Sequence, residues 1–167
     1  SALPTGGFAH SGGLEAASQL GMLKGTVDVE SVVQMATQSS LVQWTPLFLD
    51  AYNNKIQNPS RVHAQLCGNA PACLASSDQG RNLRRVAKIW ATASAANDIE
   101  EMSSDHWPVV FGKVAGLLEL PPDQALEILG FTTARDVVSA AVRLNLVGPL
   151  ESVDLLRKAQ KSSQQGL

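Results

Sequence analysis

Apolar residues in this 167-residue chain recur at helical spacing and never in sustained alternation. That restricts the fold more than any other feature. Val29, Val32, Val33 and Ala36 follow an i, i+3, i+4, i+7 pattern. So do Leu83, Val86, Ala87 and Trp90, and so do Ala134, Val137, Val138 and Ala141. Residues so spaced share one helix face and are buried by packing that face on other helices. No stretch joins period-2 alternation to β-branched enrichment. The expectation is therefore an all-α chain without a sheet. It is a single-domain helical bundle of about seven to nine helices over residues 1–167.

Punctuation places the helices. Ser11 as N-cap and Gly21 as stop bound a first short helix. Thr26 and Asp28 open the next. Pro46 disfavours helical backbone at the residue before it, which predicts two helices, Asp28–Trp44 and Pro46–Asn54. Asn58-Pro59 starts a short helix ending near Cys67-Gly68. Asn69 and Pro71 read as loop, and Ala72–Ala93 as a long helix. Asn97–Asp105 breaks the periodicity and reads as an exposed acidic loop. His106-Trp107-Pro108 opens an apolar helix through Leu118, with Val110, Val114, Leu117 and Leu118 as its core stripe. Gly112 and Gly116, one turn apart, predict close approach by a neighbouring helix. Ala125, Leu126 and Leu129 face inward, Gly130 is a C-cap, and Thr132 or Thr133 caps the following helix. Gly148-Pro149 precedes a last amphipathic helix, Leu150–Lys161, and Ser162–Leu167 is a polar end.

The conspicuous turn is Leu3–Glu15, with Gly6, Gly7, Gly12 and Gly13 around Phe8 and His10. It is not a P-loop, because Gly13 and Leu14 stand where lysine and a hydroxyl are required. Two readings stay open: a folded-back turn that caps the next helix, or a loop offering Phe8 and His10 to a partner. Ser11, His10 and Glu15 invite a triad reading, but triads assemble across a fold. A cap and a first-turn acid are the more economical account. On the long helix, Arg81, Arg84, Arg85 and Lys88 lie about 200° from the apolar stripe. They form either a solvated face or a dock for an acidic partner.

Net charge is −2, which gives no cause to expect nucleic acid or an acidic membrane as partner. Apolar runs fall short of a membrane span, and no leader is visible, so a cytoplasmic protein is expected. Cys67 and Cys73 are too few for a disulfide framework, and their C-x5-C spacing fits neither a zinc knuckle nor a redox pair. With His63 they could meet a soft metal. The blander account is half-buried thiols in a reducing compartment. His10, His63 and His106 are far apart in sequence. No catalytic, cofactor-binding or metal-ligating residue is assigned.

Four stretches carry a resemblance. Leu3–Ala17 (LPTGGFAHSGGLEAA), Ser76–Leu83 (SSDQGRNL), His106–Leu118 (HWPVVFGKVAGLL) and Ser139–Leu150 (SAAVRLNLVGPL) resemble, in the same order, the signature segments of the urease accessory protein UreF family. The last is similar to the eukaryotic form. The resemblance implies an all-helical, commonly dimeric chaperone subunit without enzymatic activity of its own. It would join UreD (also called UreH) and the GTPase UreG and help deliver nickel to apo-urease, with the metal travelling mainly on other subunits. It points to Phe8, His10 and Leu14 as interaction residues. It points next to Gln79 and Gly80 with Arg81 and Arg84, and third to Gly148, Pro149, Leu150 and Glu151. The family's leading helix and its H-D-x-L-Y-S-R-L-F tail have no counterpart here, which predicts a trimmed domain. The rivals are a small helical enzyme using the Gly6–Glu15 turn and an unrelated helical regulatory domain.

Overall fold

The computed structural model describes residues 13–23, 25–55 and 58–165. Among them are eight helices and no strand: α1 (Leu14–Gln19), α2 (Thr26–Tyr52), α3 (Pro59–Leu66), α4 (Ala70–Trp90), α5 (Ala93–Glu100), α6 (Trp107–Leu117), α7 (Pro122–Arg143) and α8 (Pro149–Gln165). The all-α expectation holds. The described residues group into two compact units, one of residues 42–125 and one of residues 13–41 with 126–165.

Several boundaries differ from the sequence expectation, each for a local reason. α2 runs through Pro46 without a break. An internal proline costs about 3 kcal/mol. Leu47 and Phe48, essentially fully buried just beyond it, each return about 1.5–3 kcal/mol by leaving water. α7 likewise passes through Gly130. The Thr132 and Thr133 hydroxyls do not cap a new helix but donate to the Leu129 carbonyl at 2.8 and 3.1 Å, bonds that a helix interior accommodates. Pro71 is helical and not loop, and Asn69 is the extended cap before it. The Asn69 side chain accepts the Ala72 N–H at 3.2 Å, and Pro71 sits in the first turn of α4. Asn97–Asp105 is not all loop either. α5 covers its first part, capped by Thr92 and anchored by buried Ile99. α1 starts at Leu14 after Gly13 at φ 92°, and Gly21 at φ 68° ends it as expected. Ser11 lies outside the described residues. Trp90 and Leu118, assigned to core stripes, are 64% and 60% exposed. Each stands at the very end of its helix, where the packed face has run out.

In the unit of residues 13–41 and 126–165, Leu14, Val29 and Val33 pack with Ala134, Val137, Val138, Ala141, Leu155 and Ala159. At its rim, Lys158 pairs with Glu30 at 2.7 Å.

In the unit of residues 42–125, three glycine contacts and one arginine set the spacing. A Cβ on Gly112 would lie 2.4 Å from the Phe48 carbonyl oxygen, and one on Gly116 would lie 2.8 Å from that of Tyr52. α6 therefore presses directly on the α2 backbone, as the glycine pair predicted. A Cβ on Gly80 would lie 1.7 Å from the Asp105 carbonyl oxygen, so α4 bears on the segment that leads into α6. Beside it, Arg84 donates to the Ile99 carbonyl at 2.9 Å and the Met102 carbonyl at 2.7 Å, and it pairs with Asp105. Its side chain is 17% exposed. Arg84 thus belongs to the unit's interior, not to an outward basic face. Arg81 and Lys88 remain outside, paired with Asp78 and Glu100.

Two stability measurements follow from these contacts. Gly112→Ala is expected to cost about 1–3 kcal/mol in urea denaturation through overpacking against backbone. Gly68→Ala, where a Cβ meets nothing within 4 Å, is the matched control and should cost far less. Arg84→Met is expected to cost about 3 kcal/mol, because two carbonyls and a carboxylate lose a shared charged donor. Arg84→Lys should recover only part, since an ammonium lacks the planar fork. An Arg84→Lys protein as stable as the parent would refute that role.

Candidate functional site

The residues singled out in sequence fall in three places. Phe8 and His10 lie outside the described residues. Leu14 is fully buried in its unit's core and Gly80 is buried under Asp105. With the inward-turned Arg84, these residues position structure and do not present surface. Gln79 is half-buried and Arg81 exposed on α4.

The start of α8 is the second place. Glu151, in the first turn, reaches back so that its carboxylate accepts the Gly148 N–H at 2.7 Å, and it also accepts from the Thr26 hydroxyl at 3.3 Å. This is the returning half of a capping box. The cap holds Pro149 and Leu150 outward, and Leu150 is 87% exposed, with Val153 exposed a turn later. The one other acidic residue of the helix, Asp154, pairs with Arg157 and Lys158.

The third place was not anticipated as a unit. His63 and Cys67 are four residues apart, at the end of α3, and the Cys67 N–H donates to the His63 carbonyl at 2.8 Å, so both side chains fall on one side of the turn. Gly68 and the Asn69 cap then reverse the chain, and Cys73 stands in the first turn of α4, its N–H on the Asn69 carbonyl. Cys67 and Cys73 are joined by a disulfide, with Cα atoms 4.7 Å apart. This corrects the expectation of two separate reduced thiols. C-x5-C is too long for a redox motif, but a helix end, a tight turn and a capped helix start fold it into contact range.

His106 comes from 33 residues further on and caps α6. Its backbone is held from several sides. The His106 N–H donates to the Ser104 hydroxyl at 3.3 Å, the next N–H, of Trp107, donates to Ser76 of α4 at 3.1 Å, and Gly80 lets α4 close on the same segment. His106 is 9% exposed. Its Nε2 lies 3.9 Å from Cys67 Sγ, and its Nδ1 is buried without a hydrogen-bond partner. Burial pushes the His106 pKa below the ordinary imidazole value, and nearby His63 acts in the same direction against an opposing pull from Asp105. One ligand-capable atom from each of His63, Cys67, Cys73 and His106 lies within 4.8 Å of every other. An open depression of about 490 Å³, lined by His63, Ser103, Ser104 and His106 among others, gives access. Sequence reading paired His63 with the cysteines but missed His106. The available signal was its position ahead of Trp107-Pro108, which marks a helix start whose backbone a neighbouring element has to satisfy.

Among the described residues no helix is long and apolar enough to cross a membrane. A model of the UreF family matches residues 31–160. The chain is 31% identical over 176 residues to a protein of Oryza sativa subsp. indica named urease accessory protein F, covering 98% of this chain and 67% of that one. It is 33% identical over 161 residues to the Arabidopsis thaliana protein of the same name, covering 90% and 67%. It is 28% identical over 160 residues to the urease accessory protein UreF of Rhizobium leguminosarum bv. trifolii, covering 93% and 71%. A match of this extent, over an all-helical chain that carries the signature segments in order, shows that the protein belongs to the UreF family of urease accessory proteins.

Proposed function

We propose that this chain is a non-catalytic adaptor of urease maturation in the cytoplasm. It bridges UreD (UreH) and the GTPase UreG, and it helps deliver nickel to apo-urease. The observation that carries the reading is family membership over residues 31–160. GTP hydrolysis and metal transfer then belong to the partners. An adaptor needs only to bind one nucleotide state of the GTPase better than the other to shift its equilibrium. A homodimer is part of this reading.

The contact surfaces in this proposal are the turn with Phe8 and His10, the outer side of α4 at Gln79 and Arg81, and the start of α8 at Pro149, Leu150 and Glu151. Two features support the third. Leu150 and Val153 expose apolar surface on adjacent turns, and the Glu151 cap fixes the direction in which they point. Neighbouring aliphatic side chains exposed on a helix are apolar surface that a protein partner can cover.

The test is retention of purified UreD, then UreG, by the full-length protein. Leu150→Asp and Phe8→Ala variants run beside it, with circular dichroism as the fold check. The parent should retain both partners, and each variant should weaken retention by about tenfold or more. A parent that retains neither partner would remove the adaptor reading.

A further inference from the structure

We propose that His63, Cys67, Cys73 and His106 form a redox-gated zinc(II) site, closed by the Cys67–Cys73 disulfide and opened by its reduction. The proposal does not depend on the partner assignments above.

The ligand set is the first argument. Two sulfurs and two imidazoles are the donors of a tetrahedral S2N2 site, a set that selects zinc over magnesium or calcium. Two thiolates also neutralise the dipositive ion, so a half-buried site carries no net charge.

Geometry is the second. Tetrahedral zinc holds its donors roughly 3.3–3.8 Å apart, given Zn–S near 2.3 Å and Zn–N near 2.0 Å. The two sulfurs, about 2 Å apart in any disulfide, must part by about 1.7 Å on reduction, and the other donors, already within 4.8 Å, must close by about an ångström. The backbone that sets them does not depend on the disulfide. Cys67 is placed by its N–H bond to His63, Cys73 by the Asn69 cap, and His106 by Ser104, Ser76 and the Gly80 contact. His63 is exposed, and its side chain can swing in from the solvent side.

The third argument is the placement of His106. Its Nε2 faces Cys67 Sγ at 3.9 Å, so this nitrogen is the one turned toward the other donors. Its Nδ1 is buried without a partner, so the outer hydrogen bond that commonly orients a ligating imidazole is missing, and the ring is directed by its burial and by the backbone bonds of His106 and Trp107.

The chemistry balances as follows. A dithiol reductant supplies two electrons and two protons, is itself oxidised to a disulfide, and converts Cys67–Cys73 to two thiols. Zinc(II) then binds both sulfurs as thiolates, and the two thiol protons pass to solvent. Reoxidation of the sulfurs by a disulfide oxidant expels the ion.

The experiment uses chelator-stripped protein, oxidised or reduced with a phosphine, without oxygen. Zinc retained after gel filtration is measured by elemental analysis, and cobalt(II) serves as the spectroscopic probe. Reduced protein should retain one zinc per chain, and its cobalt form should show thiolate charge-transfer and tetrahedral bands. The oxidised protein, Cys67→Ser and His63→Asn should each bind at least about 100-fold more weakly. His63→Asn is the safeguard variant, since this exposed side chain can be lost without unfolding the unit. The proposal is overturned if reduced protein retains no more zinc than a Cys67→Ser, Cys73→Ser double variant. It is also overturned if cobalt shows only octahedral bands, or if nickel(II) is held in preference to zinc(II).

Discussion

The polar contacts in the unit of residues 42–125 depend on how closely α4 approaches the segment before α6. Gly80 makes that approach, since any side chain there would collide with the Asp105 carbonyl. Once the two backbones touch, Ser76 is within reach of the Trp107 N–H and Arg84 can gather Ile99, Met102 and Asp105. An unpaired buried donor or carbonyl costs about 1–3 kcal/mol. These interactions are therefore obligatory consequences of the close approach. The same contact carries His106 to the cysteines.

The unit consequently has a polar seam and an apolar side. On the apolar side, Leu47, Ala51, Val62, Leu66 and Val109 form a continuous cluster. Phe111 stacks on Trp107 at 5.4 Å and meets Phe48 at 6.0 Å. On the polar seam, side chains satisfy helix ends one by one: Asn58 and Asn69 their own helices, Ser76 the start of α6. The apolar side provides stability, and the seam fixes the register in which a functional cluster can persist.

How far sequence alone reached depends on whether each signal was local. The core positions Val29, Val33, Val137, Val138 and Ala141 were legible because helical period reports burial directly. The Gly112–Gly116 pair was legible because two glycines one turn apart have few other uses inside a helix. Proline at position 46 and glycine at position 130 misled, because the propensity cost they carry is smaller than the burial on either side. Arg84 misled because it sits in phase with exposed arginines, and only the position of α5 shows what its guanidinium meets. The four-residue cluster was hidden for the same reason. His63, Cys67 and Cys73 are near in sequence, but the fourth member arrives through a tertiary contact made by Gly80. The family signature, in contrast, was legible as a string without any knowledge of packing.

The Cys67–Cys73 link encloses a very short stretch of chain, with a sequence separation of 6. Cross-linking so small a loop removes little freedom from the unfolded chain, worth about 2 kcal/mol on a loop-entropy argument. That is comparable to one or two helix caps. The covalent state of the α3–α4 joint can thus change without the helices around it coming apart. The two forms would share one fold and differ by a few degrees in melting temperature, while differing outright in chemical reactivity. Cells could then carry both forms of this protein side by side, told apart chiefly by what the sulfurs react with.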